Sequence, residues 1–578
     1  MRLLQSSAVF ACCSWLIPSA IGHALPHHVE NLIKKQLPAE PTGVKTITSP
    51  NNVTIRYKEP GKEGVCETTP GVNSYSGYVD LDYRTHMFFY FFEARHNPNE
   101  APITLWLNGG PGSDSLIGLF EELGPCNVTH EYITKVNPYS WSEESNLLFL
   151  SQPLGVGFSY ADEVVGIINE TTGFPQNSSD PTGRYADTDP FRYDTTALAA
   201  VGTWEILQAF IQALPTLDET VTSRSFNLWT ESYGGHYGPG FFNHFYEQNE
   251  LIKAGEAPGV VLEMHTLGII NGIISSKIQM KYYPEFAYKN TYGIQTVNES
   301  TYEFMKFADN LPGNGCEDQM DYCAESDLST PFGLATCAQA VTICRNFVEG
   351  PYEALLDNSP YDIRQNASAT DVPPGYWYDW LNTPEAQNAL GVDLNYTDSS
   401  YQVYSGFDLT GDWAYPTLLQ DLQELLNNDV RVALIYGDAV SVSIARARLR
   451  DVMTDSEKQD YICNWFGGEA VSLEVDYTHS AEFRSAGYTP FVVDGVEYGE
   501  SRQYGNFSFT RVYESGHEVP YYQPKASLEL FRRVLADLAV SDGSVKVTET
   551  YKSNGTATAT HTESFTGWFT GRPENNDK

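Results

Sequence analysis

The pentapeptide Thr230-Glu231-Ser232-Tyr233-Gly234 follows an apolar run and leads into a glycine-rich segment. A serine on a sharp turn between a strand and a helix offers its hydroxyl as a nucleophile when a base stands beside it. Thr230 occupies the position where such turns commonly carry a first glycine. His517, in VYESGHEVPYYQP, is the candidate base, on a glycine-marked loop after the last strand-like run. A neutral imidazole there can take the hydroxyl proton. Upstream, LWLNGGPGSDS ends a strand-like run in successive glycines, whose N–H groups can approach a developing oxyanion that larger residues would obstruct. Together these residue types suit acyl transfer through a serine ester.

Such groups need rigid supports. SGYVDLDYRTHMFFYFFEA reads as two neighbouring strands, ITLWLNGG as a buried strand, and NLLFLSQPLGVGFSY as another ending in a Pro-Gly turn. Leu198, Val201, Leu207, Ile211 and Leu214 recur at helical spacing over Thr195 to Leu214, with Pro215 as the stop. SFNLWTES, HTLGIINGII, VRVALIYG and FSFTRVYES read as central strands. Strands alternating with helices predict a mostly parallel central sheet with helices on both faces, and the chain order Ser, Asp, His makes it an α/β-hydrolase fold. The expected organisation is a signal peptide over 1–24, an N-terminal arm or pro-segment over 25–62, and a core split into 63–275 and 375–545. A disulfide-bearing cap is expected at 276–374 and a flexible polar tail at 546–578.

The 578 residues, 41% hydrophobic and 13% aromatic, can bury a large core, and a net charge of −39 argues against nucleic acid or an anionic membrane as partner. Arg2, an apolar run from Ala8 to Ile21, and Gly22-His23-Ala24 form a secretory signal. No later stretch reads as long and apolar enough to span a membrane. Sequons at Asn52, Asn127, Asn169, Asn177, Asn298, Asn366, Asn395, Asn506 and Asn554 fit a glycosylated, secreted chain, with a vacuole as the alternative destination. Cys316, Cys323, Cys337 and Cys344 suggest nested bridges, Cys316–Cys344 and Cys323–Cys337, among three possible connectivities. Cys66 and Cys126 could pair, leaving Cys463 as a free thiol. With no histidine in the cap cluster, disulfides are expected there rather than zinc.

The segments WLNGGPG, ELGP, ESYGGHYGP, DYICNWFGG and GHEVPYYQP, spread from about Gly64 to Leu538, resemble the serine carboxypeptidases, especially the secreted fungal acid enzymes. The resemblance implies Ser232 as nucleophile, His517 as base, and the N–H groups of Gly110 and Tyr233 as the oxyanion hole. It also implies a site for the substrate's terminal carboxylate built from Asn108, Gly109, Glu122 and Glu231 with Trp106 alongside, acting on peptide and protein C-termini without cofactor or metal. Two glutamates facing a carboxylate must share a proton to bind it, which favours acidic pH. Ser113 and Asp114 stand where the family commonly has Cys-Ser. Glu121 and Glu518 border the implied pocket for the leaving residue and favour a C-terminal Lys or Arg there. No oligomeric state is indicated.

In the family the triad aspartate follows the pattern Gly-Asp-x-Asp. Deleting Val440 to Gln459 restores YGDADYICNWFGG, so Asp460 is the implied triad member and Asp438 a turn aspartate. This 20-residue segment is in frame, and Val-Ser and Gln can be encoded by GTGAGT and CAG, the ends of a fungal intron. It reads as a retained intron, with a real loop that the fold could accommodate as the alternative. An esterase or acyltransferase on the same scaffold, or a protein impaired by the insert, are the competing readings.

Overall fold

The structure is a computed structural model that describes residues 37–354, 361–365, 373–439 and 463–563. Its centre is a 12-stranded sheet. The strands are β1 (Lys45–Thr48), β2 (Thr54–Lys58), β3 (Ser74–Asp82), β4 (Thr85–Phe92), β5 (Ile103–Leu107), β6 (Asn146–Leu150), β7 (Ser225–Glu231), β8 (Glu263–Ile270), β9 (Arg431–Gly437), β10 (Thr489–Val493), β11 (Val496–Tyr504) and β12 (Phe507–Val512). They lie in the order β1-β2-β3-β4-β6-β5-β7-β8-β9-β12-β11-β10. From β6 through β12 each neighbouring pair is parallel, and the two flanks are antiparallel. The predicted α/β-hydrolase architecture is therefore present.

The central strands are buried on both faces, as parallel strands covered by helices must be. Leu105, Leu228, Leu267 and Leu434 join the core on one face, while Trp106, Trp229, Ala433 and Ile435 join the core on the other. The long helices α1 (Thr196–Leu217) and α2 (Gly234–Ala254) pack against the first of these faces.

Several expectations are corrected. Pro215 does not stop α1, which runs two residues further with Asp218 N–H donating to the Leu214 carbonyl at 2.7 Å. A proline in the last turn forfeits only one backbone bond. The same helix is, against expectation, long and apolar enough to cross a membrane. Its apolar residues are mostly buried in the core, which accounts for that composition. Residues 37–62, expected as an arm, supply the edge strands β1 and β2. The helical region after β8 continues past 374 to Asn427. Residues 546–563, expected in a flexible tail, return to the sheet: Tyr488 pairs with Thr556 and Tyr504 with Lys552, and the His561 ring stacks on Tyr513 at 3.6 Å. Backbone pairing along a sheet margin holds a polar segment that has no apolar pattern to announce it.

Disulfides join Cys66 to Cys126, Cys316 to Cys344 and Cys323 to Cys337. The last two tie the helices Cys316–Ala324 and Pro331–Cys344 into a hairpin. Cys463 is a buried thiol. The Cys66–Cys126 bridge closes a separation of 60 residues, so replacing both cysteines by alanine is expected to cost about 4 kcal/mol in unfolding free energy, measured by urea titration. Asn52, Asn127, Asn177, Asn298 and Asn554 are exposed, and Asn169 and Asn395 half-buried. Asn506 is half-buried, and its side-chain NH2 donates to the Leu426 and Val430 carbonyls at 3.0 and 2.9 Å. The signal peptide, Asn366, Asp460 and residues 440–459 lie outside the described residues.

Candidate active site

The pairing register aligns the C-terminal ends of the parallel strands. Thr230 faces Leu107, Glu231 faces Ile270, Ile270 faces Ile435, and Gly437 faces Val512. The segments leaving β5, β7, β8, β9 and β12 thus emerge together, where open α/β sheets place their ligands. They carry Asn108 to Gly110, Ser232, Asn271, Asp438 and His517.

Ser232 adopts φ +65°, a left-handed conformation that costs a non-glycine residue about 1–3 kcal/mol. The surroundings enforce it. Ser232 N–H donates to the Ile270 carbonyl at 3.1 Å, and its carbonyl accepts from Ile273 N–H at 3.0 Å. Thr230, in place of a glycine, donates its hydroxyl to the Gly234 carbonyl at 2.7 Å, stapling the strand end to the helix start. The loop after β5 abuts this turn. A Cβ on Gly109 would lie 2.9 Å from the Ser232 Cβ and closer still to the Tyr233 nitrogen, so only glycine fits. Gly110 follows at φ +106°. The backbones of Gly109, Gly110 and Tyr233 therefore meet beside Ser232.

Sequence reading missed Asp412. This fully buried carboxylate accepts the Tyr233 hydroxyl at 2.7 Å, and the Thr196 N–H and hydroxyl at 2.9 and 2.6 Å. It fixes Tyr233 from the side opposite its backbone. Asp412→Ala strands three buried donors and is expected to lower the unfolding free energy by about 3 kcal/mol or more, read from the urea midpoint. The signal available was Gly411-Asp412-Trp413 ahead of a proline, too short to interpret without its partners.

Four carboxyls gather next to the turn. Glu121 and Glu122 lie on a π-helical turn, Gly118–Glu122, whose Gly118 N–H donates to Asn108 Oδ1 at 2.9 Å. Asn108 Oδ1 also accepts from Trp106 Nε1 at 2.7 Å, and Asn108 Nδ2 donates to Glu231 Oε1 at 3.1 Å. Glu122 and Glu231 lie within hydrogen-bonding reach of each other, close enough to share one proton, with Asn108 beside both, and no other donor reaches the Glu122 oxygens or Glu231 Oε2 among the described residues. Burial pushes Glu122 up to about 7. Burial and then the charge of Glu122 push Glu231 well above the carboxylate range. Glu518 rises to about 8 through burial and the charge of Glu122. Glu121, which accepts from Trp377 Nε1 at 2.7 Å, is raised by burial and by Glu518. Among the described residues, no lysine or arginine pairs with any of the four.

His517 joins them. Its Nε2 lies 3.8 Å from Glu231 Oε1, and burial lowers its pKa to about 3. Its Nδ1 is buried with no partner among the described residues. Asp438 does not serve it. That carboxylate accepts the Tyr292 hydroxyl at 2.6 Å and pairs with the fully buried Arg511 at 3.5 Å. Ser113 and Ser399 form an isolated bridge between the loop after β5 and the helical region, and Asp114 beside them is buried and raised to about 7 by desolvation.

Residues 60–537 match the family described as serine carboxypeptidase. Carboxypeptidase S1 homolog B of Arthroderma otae is 38% identical over 580 residues, covering 93% of this chain and 83% of that protein. Carboxypeptidase S1 of Penicillium janthinellum is 36% identical, covering 83% of this chain and 98% of that one. The vacuolar serine-type carboxypeptidase of Saccharomyces cerevisiae is 32% identical, covering 85% and 83%. In fold, the chain is similar to the crystal structure of the prohormone-processing carboxypeptidase Kex1(Δ)p from Saccharomyces cerevisiae, with a TM-score of 0.62 at 20% identity, over 86% of this chain and 99% of that one. With this fold and this extent of similarity, the chain belongs to the serine carboxypeptidases, hydrolases that cleave peptide bonds.

Proposed function

We propose that the enzyme releases single C-terminal residues from peptides and proteins in acidic medium through an acyl-enzyme. Ser232 is the nucleophile, His517 the base, and Asp460 the carboxylate that orients it. The N–H groups of Gly110 and Tyr233 form the oxyanion hole. Trp106, Asn108, Gly109, Glu122 and Glu231 hold the substrate's terminal carboxylate. One observation carries the reading: the buried carboxyls of Glu122 and Glu231, within reach of one shared proton and without a basic partner among the described residues, lie next to the strained turn that bears Ser232. A carboxyl group held protonated can donate to a carboxylate ligand, which an ionised pair would repel.

His517 takes the Ser232 proton as Oγ attacks the scissile carbonyl, then gives it to the departing amine as the C–N bond breaks. Water, deprotonated by His517, attacks the ester and frees Ser232. Burial lowers the His517 pKa, which Asp460 beside it would raise part of the way back, and burial raises Glu122 to about 7. A neutral imidazole and a protonated carboxyl coexisting in mild acid support an acidic working range.

Glu121 and Glu518 border the space for the leaving residue, and a lysine or arginine side chain there would favour their ionised forms and pair with them. Glu518→Met is expected to shift the ratio of kcat/KM for leaving Lys over leaving Leu by about tenfold. An unchanged ratio, measured on paired N-blocked dipeptides, discards the preference. Secretion and glycosylation at the exposed sequons are the destination that the N-terminal signal and the disulfides support.

The 20 residues 440–459, which stand directly before Asp460 in the sequence, leave one second reading, a chain impaired by that segment. Release of the C-terminal amino acid from an N-blocked dipeptide near pH 5 separates the two, with the full chain set beside one lacking Val440 to Gln459. Activity in either form supports the carboxypeptidase reading. Activity in the shortened form alone assigns the impairment to the insert, and inactivity of both sinks the peptide-cleaving proposal.

A further inference from the structure

Asn271 stands directly after β8 in the Asn-Gly pair of HTLGIINGII. It is fully buried and adopts φ +46°, the left-handed region that asparagine tolerates better than other side-chain-bearing residues. Its backbone N–H donates to the Ile435 carbonyl at 2.8 Å. Its side-chain oxygen accepts from Gly437 N–H at 2.9 Å, one residue before Asp438. Its side-chain NH2 donates to the His517 carbonyl and, at 3.4 Å, to the Gly516 carbonyl.

The residues on either side of Asn271 hold the other half of the site. The Ile270 carbonyl accepts from Ser232 N–H, and Ile273 N–H donates to the Ser232 carbonyl. Gly235, the second residue of α2, packs so closely on Ile273 that any side chain there would collide with its backbone. The short segment 270–273 thus bonds to the Ser232 backbone on one side and, through one amide side chain, to the His517 backbone on the other.

We infer that Asn271 is a positioning residue that sets the spacing between Ser232 and His517. The inference rests on reading those two as nucleophile and base. Only an amide fits both bonds at every pH. The oxygen must accept from an N–H while the nitrogen donates to a carbonyl. An ionised aspartate accepts but cannot donate. A protonated aspartic acid does both, with nearly the same shape. Glycine keeps the left-handed backbone without strain and loses both side-chain bonds.

The test uses the full chain with Asn271→Gly, Asn271→Ala and Asn271→Asp. The readouts are kcat and KM on an N-blocked dipeptide, the rate of Ser232 labelling by a fluorophosphonate, and the unfolding temperature. Asn271→Gly and Asn271→Ala are expected to lose about 100-fold in kcat and in labelling rate, because an error near 1 Å between reacting groups costs that much. KM should stay within about threefold, since substrate carboxylate binding is untouched. Asn271→Asp should approach the parent in acid and fall away as pH rises and the aspartate ionises. Unchanged kcat and labelling in Asn271→Gly overturns the inference. So does a parallel loss of kcat, KM and unfolding temperature in every variant, with no recovery of Asn271→Asp in acid. If Ser232 is labelled neither in the full chain nor in the chain lacking Val440 to Gln459, the reading of the site falls, and this inference falls with it.

Discussion

Ser232→Ala should lower kcat by about 10^6-fold and abolish fluorophosphonate labelling, while leaving the unfolding temperature almost unchanged. The size of the effect follows from removal of the nucleophile from a unit whose members act together. His517→Ala should cost a similar factor, and the double variant should be hardly worse than either single one. That non-additivity distinguishes a nucleophile–base pair from two independent contributors. Stability should be spared because the backbone bonds that hold the turn come from Ile270, Ile273 and the Thr230 hydroxyl. Retention of more than about one hundredth of the parental kcat in Ser232→Ala, with stoichiometric labelling elsewhere, would remove Ser232 from the mechanism.

Both substrate binding and stability should decline from pH 5 to pH 8. Glu122, at about 7 against an ordinary 4.5, is protonated through the acidic range. Once it ionises, the substrate carboxylate meets a negative charge beside the still protonated Glu231, so KM should rise above pH 7 by up to about tenfold per pH unit. The stability effect has the same sign. A carboxyl whose folded pKa is raised contributes its full stability below the unfolded value and loses it as pH climbs through the folded value. Glu122, Asp114 at about 7, and Glu518 at about 8 all fall in this class, and all are driven there first by burial. Every tenfold difference in proton affinity between the folded and unfolded chain is worth about 1.4 kcal/mol. The unfolding temperature should therefore be highest near pH 4–5 and fall through pH 8. Glu122→Gln should flatten the KM profile, because the amide donates at every pH. A KM independent of pH between 5 and 8 in the parent would exclude the shared-proton site.

The strands were legible because each central one is an uninterrupted apolar run, and a covered parallel strand has no other way to read. Ser232, Gly109 and His517 were legible because glycines and small residues mark turns that physical necessity restricts. The Pro215 boundary was misread because a proline in a last helical turn costs too little to stop the helix. Residues 546–563 were misread because their hold on the sheet is backbone pairing, which leaves no hydrophobic periodicity.

By itself, the sequence determined the fold class and the family and marked out candidate residues for acyl transfer, since these depend on local pattern and residue chemistry. Only the tertiary structure decided that Glu121, Glu122, Glu231 and Glu518 share one desolvated cluster, that Asp412 clamps Tyr233, and that Asn271 ties the His517 loop to the Ser232 turn. The last two contacts join residues 179 and 246 positions apart. The strength of each depends on the exclusion of water, which the folded sheet ends create and no local segment encodes.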